Sequence, residues 1–223
     1  AQEVAYLGYR LALALAVAHA QGILHRDIKP DNVFLSEGEP LLGDFGLAKE
    51  LGAGGTRGLT VEGSALGTPG FWAPEQAFGE IHRAGPATDL FGLAATLYWA
   101  LTGRPPIEGR TLGEIMVATQ ACEIEPPSAK VASVPAEFDA LLLGCLKREP
   151  EQRTHSALVL AESLAAIAGV EVSAEEGRAG ATLDVEGPAS AGPRGPAAPL
   201  VLRAETLLGK RYRIKHLLGR GGM

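Results

Sequence analysis

The first twenty residues, AQEVAYLGYRLALALAVAHA, are apolar at most positions and predict a helix buried on nearly all its faces, stopped by the turn at Gly22. Arg10 and the polar flanks leave too short an uninterrupted run to span a bilayer. No capping residue stands in front of this helix, so the beginning of the chain reads as cut. From Ile23 to about Lys49 the period changes. NVFL, the turn SEGEP and LLGDF predict two small hairpin strands. Residues 50–70, rich in Gly, Thr and Ser, predict a long loop of the functional or mobile kind. Helical patterning returns from about Pro86 to Ala168. ATDLFGLAATLYWALTG is apolar nearly all round and stops at Gly103 ahead of Pro105 and Pro106, which predicts a central buried helix. Phe138, Leu141, Leu142, Cys145 and Leu146 fall at i, i+3, i+4, i+7 and i+8, one apolar stripe. SALVLAESLAAIAG predicts a further amphipathic helix closed by Gly169.

Composition then shifts. Residues 170–205 are dominated by Gly, Ala, Pro and Glu and bury too little apolar surface to offset their ordering entropy, so they read as a flexible linker. Residues 206–223 look foldable again. The expected organisation is a mainly α unit with small β hairpins over residues 1–169, the linker, and a short second beginning. In a chain of 223 residues, 46% hydrophobic content supports a substantial core and excludes wholesale disorder. A net charge of −6 without a Lys/Arg block argues against nucleic acid as the main partner. Cys122 and Cys145 lack metal-ligand spacing and read as buried free thiols in a reducing compartment. No signal peptide is visible, so the expected location is cytoplasmic, with anchoring through regions outside these residues left open.

HRDIKPDN, DFG, GTPGFWAPE, TDLFG and REPEQR follow one another in that order. This ordered set resembles the large (C-terminal) lobe of a protein kinase, in particular the bacterial Ser/Thr type, from the first helix to about Ala168. The resemblance implies ATP and Mg2+ as cofactors and Ser or Thr hydroxyls of proteins as acceptors. Phosphoryl transfer needs a positioned nucleophile and neutralised phosphate charge rather than covalent help from the protein. Asp27 is the group to orient the attacking hydroxyl and accept its proton. Lys29 reaches the transferring phosphate as a mobile point charge. Asn32 and Asp44 supply hard oxygen ligands suited to magnesium.

Neighbouring residues take supporting roles by the same resemblance. His25 and Phe45 hold the catalytic and metal loops in register, and Phe34 is either the apolar floor under adenine or an ordinary core phenylalanine. Asp89 accepts N–H bonds from the catalytic loop, with a helix N-cap as its plainer reading. Glu75 and Arg153 form a buried ion pair, unless each is a surface charge. Residues between Asp44 and Glu75 resemble an activation segment. Arg26 is placed to pair with a phosphate on it, and Thr56, Thr60 and Ser64 are the candidate acceptors. Thr68 is expected to contact Asp27 and Lys29, and Lys29 itself favours Ser/Thr over Tyr. Thr154 stands after Arg153 where proline is common, and Gly92 and Ala94 vary the small residues after Asp89.

The family's small lobe, with its glycine loop and strand lysine, is not found before Ala1, so the lobe is expected to be missing. LLGKRYRIKHLLGRGGM resembles that lobe's first strand and turn, with Gly219 and Gly221 as G-x-G followed by Gly222. The expectation is a piece of a tandem kinase, residues 206–223 opening a second domain, and low activity for the piece alone. Two alternatives belong to other classes. A non-catalytic kinase-like module would usually lack the base or the metal aspartate, yet Asp27, Lys29, Asn32 and Asp44 are all present. A small-molecule phosphotransferase would lack the APE segment.

Overall fold

A computed structural model of the chain describes residues 1–36, 39–44 and 69–171, together with two short strands near the far end. Helix α1 (Gln2–Ala20) buries Tyr9, Leu11, Leu13, Leu15, Val17 and the alanines between them. Its last turn closes where the Ile23 N–H reaches back to Ala18 O and Gly22 takes a φ of 72° that a side chain would resist. An extended loop and a tight turn, Pro30–Asn32, lead into β1 (Val33–Ser36) and β2 (Glu39–Leu42). The two strands pair antiparallel with Val33 opposite Leu42 and Phe34 opposite Leu41. The turn between them is shorter than SEGEP, because Glu39 and Pro40 enter the second strand. A two-stranded ribbon has only edges, where a residue without an N–H is tolerated.

After the turn Pro69–Phe71 come α2 (Pro74–Ala77) and α3 (Pro86–Thr102). Every α3 residue from Ala87 to Tyr98 is buried, and Gly103 ends the helix in the left-handed region with its N–H on Trp99 O. Helices α4 (Leu112–Ala121), α5 (Pro127–Lys130), α6 (Ala136–Cys145) and α7 (Ala157–Ala168) complete the helical unit. Thr111 and Ser156 cap α4 and α7 by accepting the N–H of Glu114 and Val159. α1 packs against α7 and α3, and α3 against α6. Phe91, Phe138, Leu142, Leu160 and Leu164 are wholly covered there; each such side chain contributes roughly 1.5–3 kcal/mol. Strands β3 (Leu207–Leu208) and β4 (Tyr212–Arg213) pair antiparallel with each other. The stretch expected to be a linker, 170–205, lies outside the described residues beyond residue 171, as do Gly219, Gly221 and Gly222. Both cysteines are free thiols, Cys145 buried and Cys122 partly covered. Burial pushes the Cys145 thiol up to about 11, out of the reactive range. No described helix is long and apolar enough to cross a membrane.

One polar construction stands inside this apolar body. The Arg153 guanidinium grips the Glu75 carboxylate in a two-pronged pair, Nη1–Oε1 at 2.8 Å and Nη2–Oε2 at 2.7 Å. Its remaining N–H groups donate to Lys147 O, Arg148 O and Ala87 O, and its Cζ lies 4.9 Å from the Phe91 ring centre. Thr88 Oγ1 donates to Glu75 Oε1 at 2.7 Å. Burial alone would raise the Glu75 carboxyl, but the hydrogen bonds and charge of Arg153, with help from Thr88, hold it below its ordinary value.

Two predictions follow for stability. Glu75→Ala leaves a guanidinium buried without its counter-charge and should cost about 3–5 kcal/mol, read as a lower denaturant midpoint at unchanged slope; a midpoint equal to wild type would mean the pair contributes nothing. The second concerns acid. Because the Glu75 value is depressed in the folded state, its contribution is full above the ordinary value of 4.5 and is lost as pH falls below it. Melting curves across pH 6 to 3 should show a loss that Glu75→Gln flattens.

Candidate active site

The loop between α1 and β1 runs across the start of α3, and one carboxylate holds it there. Asp89 is 1% exposed. Its Oδ1 accepts the Arg26 N–H at 2.7 Å, and its Oδ2 accepts the His25 N–H at 2.9 Å and the His19 Nε2 proton at 2.8 Å. Asp89 does not cap its own helix, which corrects the plainer of the two sequence readings. The cap position is Gly85, whose N–H is accepted by Thr88 Oγ1 at 3.0 Å, and Asp89 lies one turn inside. Gly92, a turn further on, lets the loop settle directly on α3: a Cβ there would stand 3.0 Å from both the Cβ and the carbonyl oxygen of Ile28. Arg26 takes a φ of 65°, a left-handed conformation that costs a residue with a side chain roughly 1–2 kcal/mol. Its N–H is tied to Asp89, and its C=O accepts the Gln76 amide at 2.6 Å. Held at both ends, the strained peptide keeps its form.

Past Arg26 the chain turns back on itself around Asp27. Asn32 Nδ2 donates to the Asp27 carbonyl at 2.7 Å and to its Oδ2 at 3.1 Å, and Lys29 Nζ meets the same Oδ2 at 2.9 Å. The Asp27 side chain is 47% exposed, and its Oδ1 carries no hydrogen bond among the described residues. Asn32 is buried, and since its amide nitrogen is committed to Asp27, its Oδ1 is left as an acceptor.

The hairpin brings Asp44 back to this loop. Asn32 O accepts the Gly43 N–H at 2.8 Å, and Asp44 follows, exposed, with a φ of 54°. His25 makes the second tie: its Nε2 donates to Gly43 O at 2.7 Å while its Nδ1 accepts the Asp27 N–H at 3.3 Å. That pattern requires the neutral ring. Burial pushes the His25 value down, outweighing the Gly43 carbonyl and the carboxylates of Asp89, Asp27 and Asp44, which pull it up. Phe34 is 49% exposed, so the core reading of this residue fails. Its ring lies over the backbone at Gly43, where any Cβ would collide with it.

Of the residues expected from sequence, His25, Asp27, Lys29, Asn32 and Asp44 thus meet along one loop and one hairpin end, with Asp89 of α3 holding that loop. Glu75, on α2, and Arg153 form their own buried pair. Arg26 presents an exposed side chain with no ion pair among the described residues. Phe45, Thr56, Thr60, Ser64 and Thr68 lie outside the described residues. No cluster of three His, Cys, Asp or Glu side chains suited to a metal occurs among the described residues. An amide and a carboxylate, Asn32 and Asp44, still fit a hard cation that draws its other oxygens from phosphates and water. Three contributors escaped the sequence reading. His19 is a polar residue in the last turn of an otherwise apolar helix, a signal that could have been used. Thr88 and Gln76 follow residues already singled out or precede them, but nothing in their spacing reveals a partner.

Comparison with known proteins agrees with this geometry. The family model described as "Protein kinase domain" matches residues 1–164. The serine/threonine-protein kinase PkaA of Streptomyces coelicolor is 37% identical over 186 residues, covering 81% of this chain and 32% of its own length. Serine/threonine-protein kinase PknK of Mycobacterium tuberculosis is 37% identical over 165 residues, covering 73% of this chain and 14% of that protein. The chain therefore spans a third or less of these curated relatives. The crystal structure of Rad53 1-466 in complex with AMP-PNP superposes with a TM-score of 0.55 at 21% identity, over 73% of this chain and 38% of that one, a likeness of fold. With the family model covering most of its length, the chain belongs to the protein kinase domain family.

Proposed function

We propose that this chain carries the catalytic machinery of a Ser/Thr protein kinase, which transfers the γ-phosphate of ATP to Ser or Thr hydroxyls of proteins. The observation that carries the reading is the arrangement at Asp27. Lys29 and Asn32 occupy Oδ2 of a half-exposed side chain and leave Oδ1 without a hydrogen bond among the described residues. An incoming hydroxyl donates to that oxygen, is turned toward the γ-phosphorus, and gives up its proton to the carboxylate as the new P–O bond forms and the bond to the β–γ bridging oxygen breaks, releasing ADP. Lys29, 2.9 Å from the base, sits where a cation offsets charge gathering on the transferred group. Asn32 Oδ1 and the Asp44 carboxylate are the oxygens to hold Mg2+, whose chemistry is to neutralise phosphate charge and keep it in line. His25 keeps those two ligands in register through Gly43.

The names of the bacterial relatives, all serine/threonine-protein kinases, support the same acceptor class. Phe34, exposed beside this cluster, is read as the floor under adenine. Thr68 completes the acceptor site, and Thr56, Thr60 or Ser64 takes the phosphate that Arg26 would pair with. Residues 206–223 are read as the opening of a second kinase domain. A non-catalytic role has no observation in its favour, since base, lysine and both metal oxygens are present.

In the full-length protein with ATP and Mg2+, Asp27→Asn should lower kcat for phosphate transfer to Ser/Thr about 10²–10⁴-fold, at unchanged melting temperature. Phosphoamino-acid analysis of the wild-type product should give phosphoserine and phosphothreonine; equal transfer by the variant would remove Asp27 from the chemistry. Asp44→Asn should raise the Mg2+ concentration needed for half-maximal rate, and an unaltered Mg2+ titration would take Asp44 out of the metal site. His25 supplies a pH dependence. Its folded value lies below the ordinary 6.5, so Nδ1 is free to accept the Asp27 N–H above that pH, and this bond is lost when the ring takes a proton at lower pH, while Nε2 still donates to Gly43 O. Activity should fall on the acid side below the ordinary histidine range, in the direction of the lowered His25 value, and His25→Gln should move that limb.

A further inference from the structure

We infer that Gln76 is a positioning residue for the catalytic loop, joining the segment that ends in Ala73-Pro74-Glu75 to the peptide on which Asp27 is carried. For its activity arm this rests on the kinase reading above. Gln76 is partly buried on α2, and its amide works in both directions. Its Nε2 donates to Arg26 O at 2.6 Å, while its Oε1 accepts the Ala73 N–H at 3.2 Å. Arg26 O belongs to the peptide bond that leads into Asp27, and Arg26 is the loop residue with φ of 65°. Asp89 secures the other face of that residue through its N–H at 2.7 Å. The strained turn is therefore clamped between two helices. Asp89 belongs to the buried α3; Gln76 belongs to the short α2, which follows the turn Pro69–Phe71.

The chemistry at this position is restrictive. The side chain must donate to one carbonyl and accept from one N–H at a fixed reach. Asparagine is too short, a cation cannot accept, and a carboxylate would face a carbonyl oxygen with no proton between them. Through this amide, a displacement of α2 is felt at the Arg26–Asp27 peptide, so the setting of the base depends on the setting of the segment's end. Glu75 fixes α2 to Arg153 from the opposite side, 2.7–2.8 Å away. Gln76 is thus one of two neighbouring side chains that point into different anchor points.

The test uses the full-length protein and three forms: wild type, Gln76→Met and Gln76→Glu. Methionine keeps the length and loses both polar functions; kcat should drop about three- to tenfold at every pH, with KM for ATP unchanged. Glutamate keeps the acceptor and loses the donor until it is protonated. Its kcat relative to wild type should be lowest at pH 8 and rise about threefold or more by pH 5.5, as the protonated acid regains a donor for Arg26 O. His19, His25, Arg26, Asp27, Lys29, Glu75 and Asp89 face this region and titrate or carry charge in all three forms, so the ratio cancels them. Hydrogen exchange gives an arm independent of activity: the Arg26 and Asp27 amides should exchange faster in Gln76→Met, with α3 and α7 unchanged. A glutamate deficit that is the same at every pH, or loop amides exchanging as in wild type, overturns the inference. A wild-type protein that transfers no phosphate to Ser or Thr would instead count against the kinase reading, and the exchange arm would still decide the role of Gln76.

Discussion

A carboxylate that is almost completely removed from water has to find donors, and the three that Asp89 finds set the shape of the site. Burying an ionised group without partners costs several kcal/mol. Two of the Asp89 partners are backbone N–H groups of consecutive residues, His25 and Arg26, and the third is His19 at the end of α1. Both N–H groups can reach one carboxylate only if the chain bends sharply, and the positive φ of Arg26 is that bend. The strain is small beside the cost of an unpaired buried charge, so the carboxylate prevails. Asp27 follows immediately and inherits its direction from a conformation it does not itself choose.

The same short stretch of α3 carries the rest of the polar scaffold. Ala87 offers its carbonyl to Arg153, Thr88 donates to Glu75, and Asp89 holds the loop that carries Asp27. Three successive residues thus connect α2, the turn at Pro150–Gln152 and the loop that carries Asp27. Such a junction holds only if the helix beneath it cannot shift, and the unbroken burial from Ala87 to Tyr98 provides that. The apolar body formed by α1, α3, α6 and α7 is a foundation, while every group with chemistry sits on an irregular segment at its surface. Rigid support under exposed polar loops is a common division of labour in catalytic proteins.

Much of this was legible in the sequence. Continuous apolarity predicted α1 and α3, the glycines at 103 and 169 marked helix ends, and the i, i+3, i+4 stripe predicted α6, because each depends on local periodicity. The motif residues also announced themselves by type and order. What escaped was pairing across long separations. His19 meets Asp89 seventy positions on, and Gln76 reaches back fifty to Arg26. A glutamine after a proline and a glutamate looks like any surface residue until the loop it touches is folded. The N-cap reading of Asp89 failed for a related reason: Gly85 and Pro86 start the helix a turn early, and Thr88 answers the cap N–H, which sends Asp89 inward.

The hairpin poses the converse problem, an apolar side chain that the fold does not cover. Phe34 and Leu35 stand on β1 at 49% and 69% exposure, while Val33, their neighbour, packs against the core. The Phe34 ring rests on the backbone at Gly43 and has no core neighbours of the kind that enclose Phe91 or Phe138. Keeping a bare glycine at that point preserves a flat apolar surface next to Asp44 at the cost of backbone entropy. A flat aromatic base reaching right up to the carboxylate that would face the phosphates is what a ligand with an apolar ring at one end and anionic charge at the other requires. On the proposed reading, the glycine of LLGDF serves the nucleotide twice, making room for the ring and offering its carbonyl to His25, which holds the metal carboxylate beside the base.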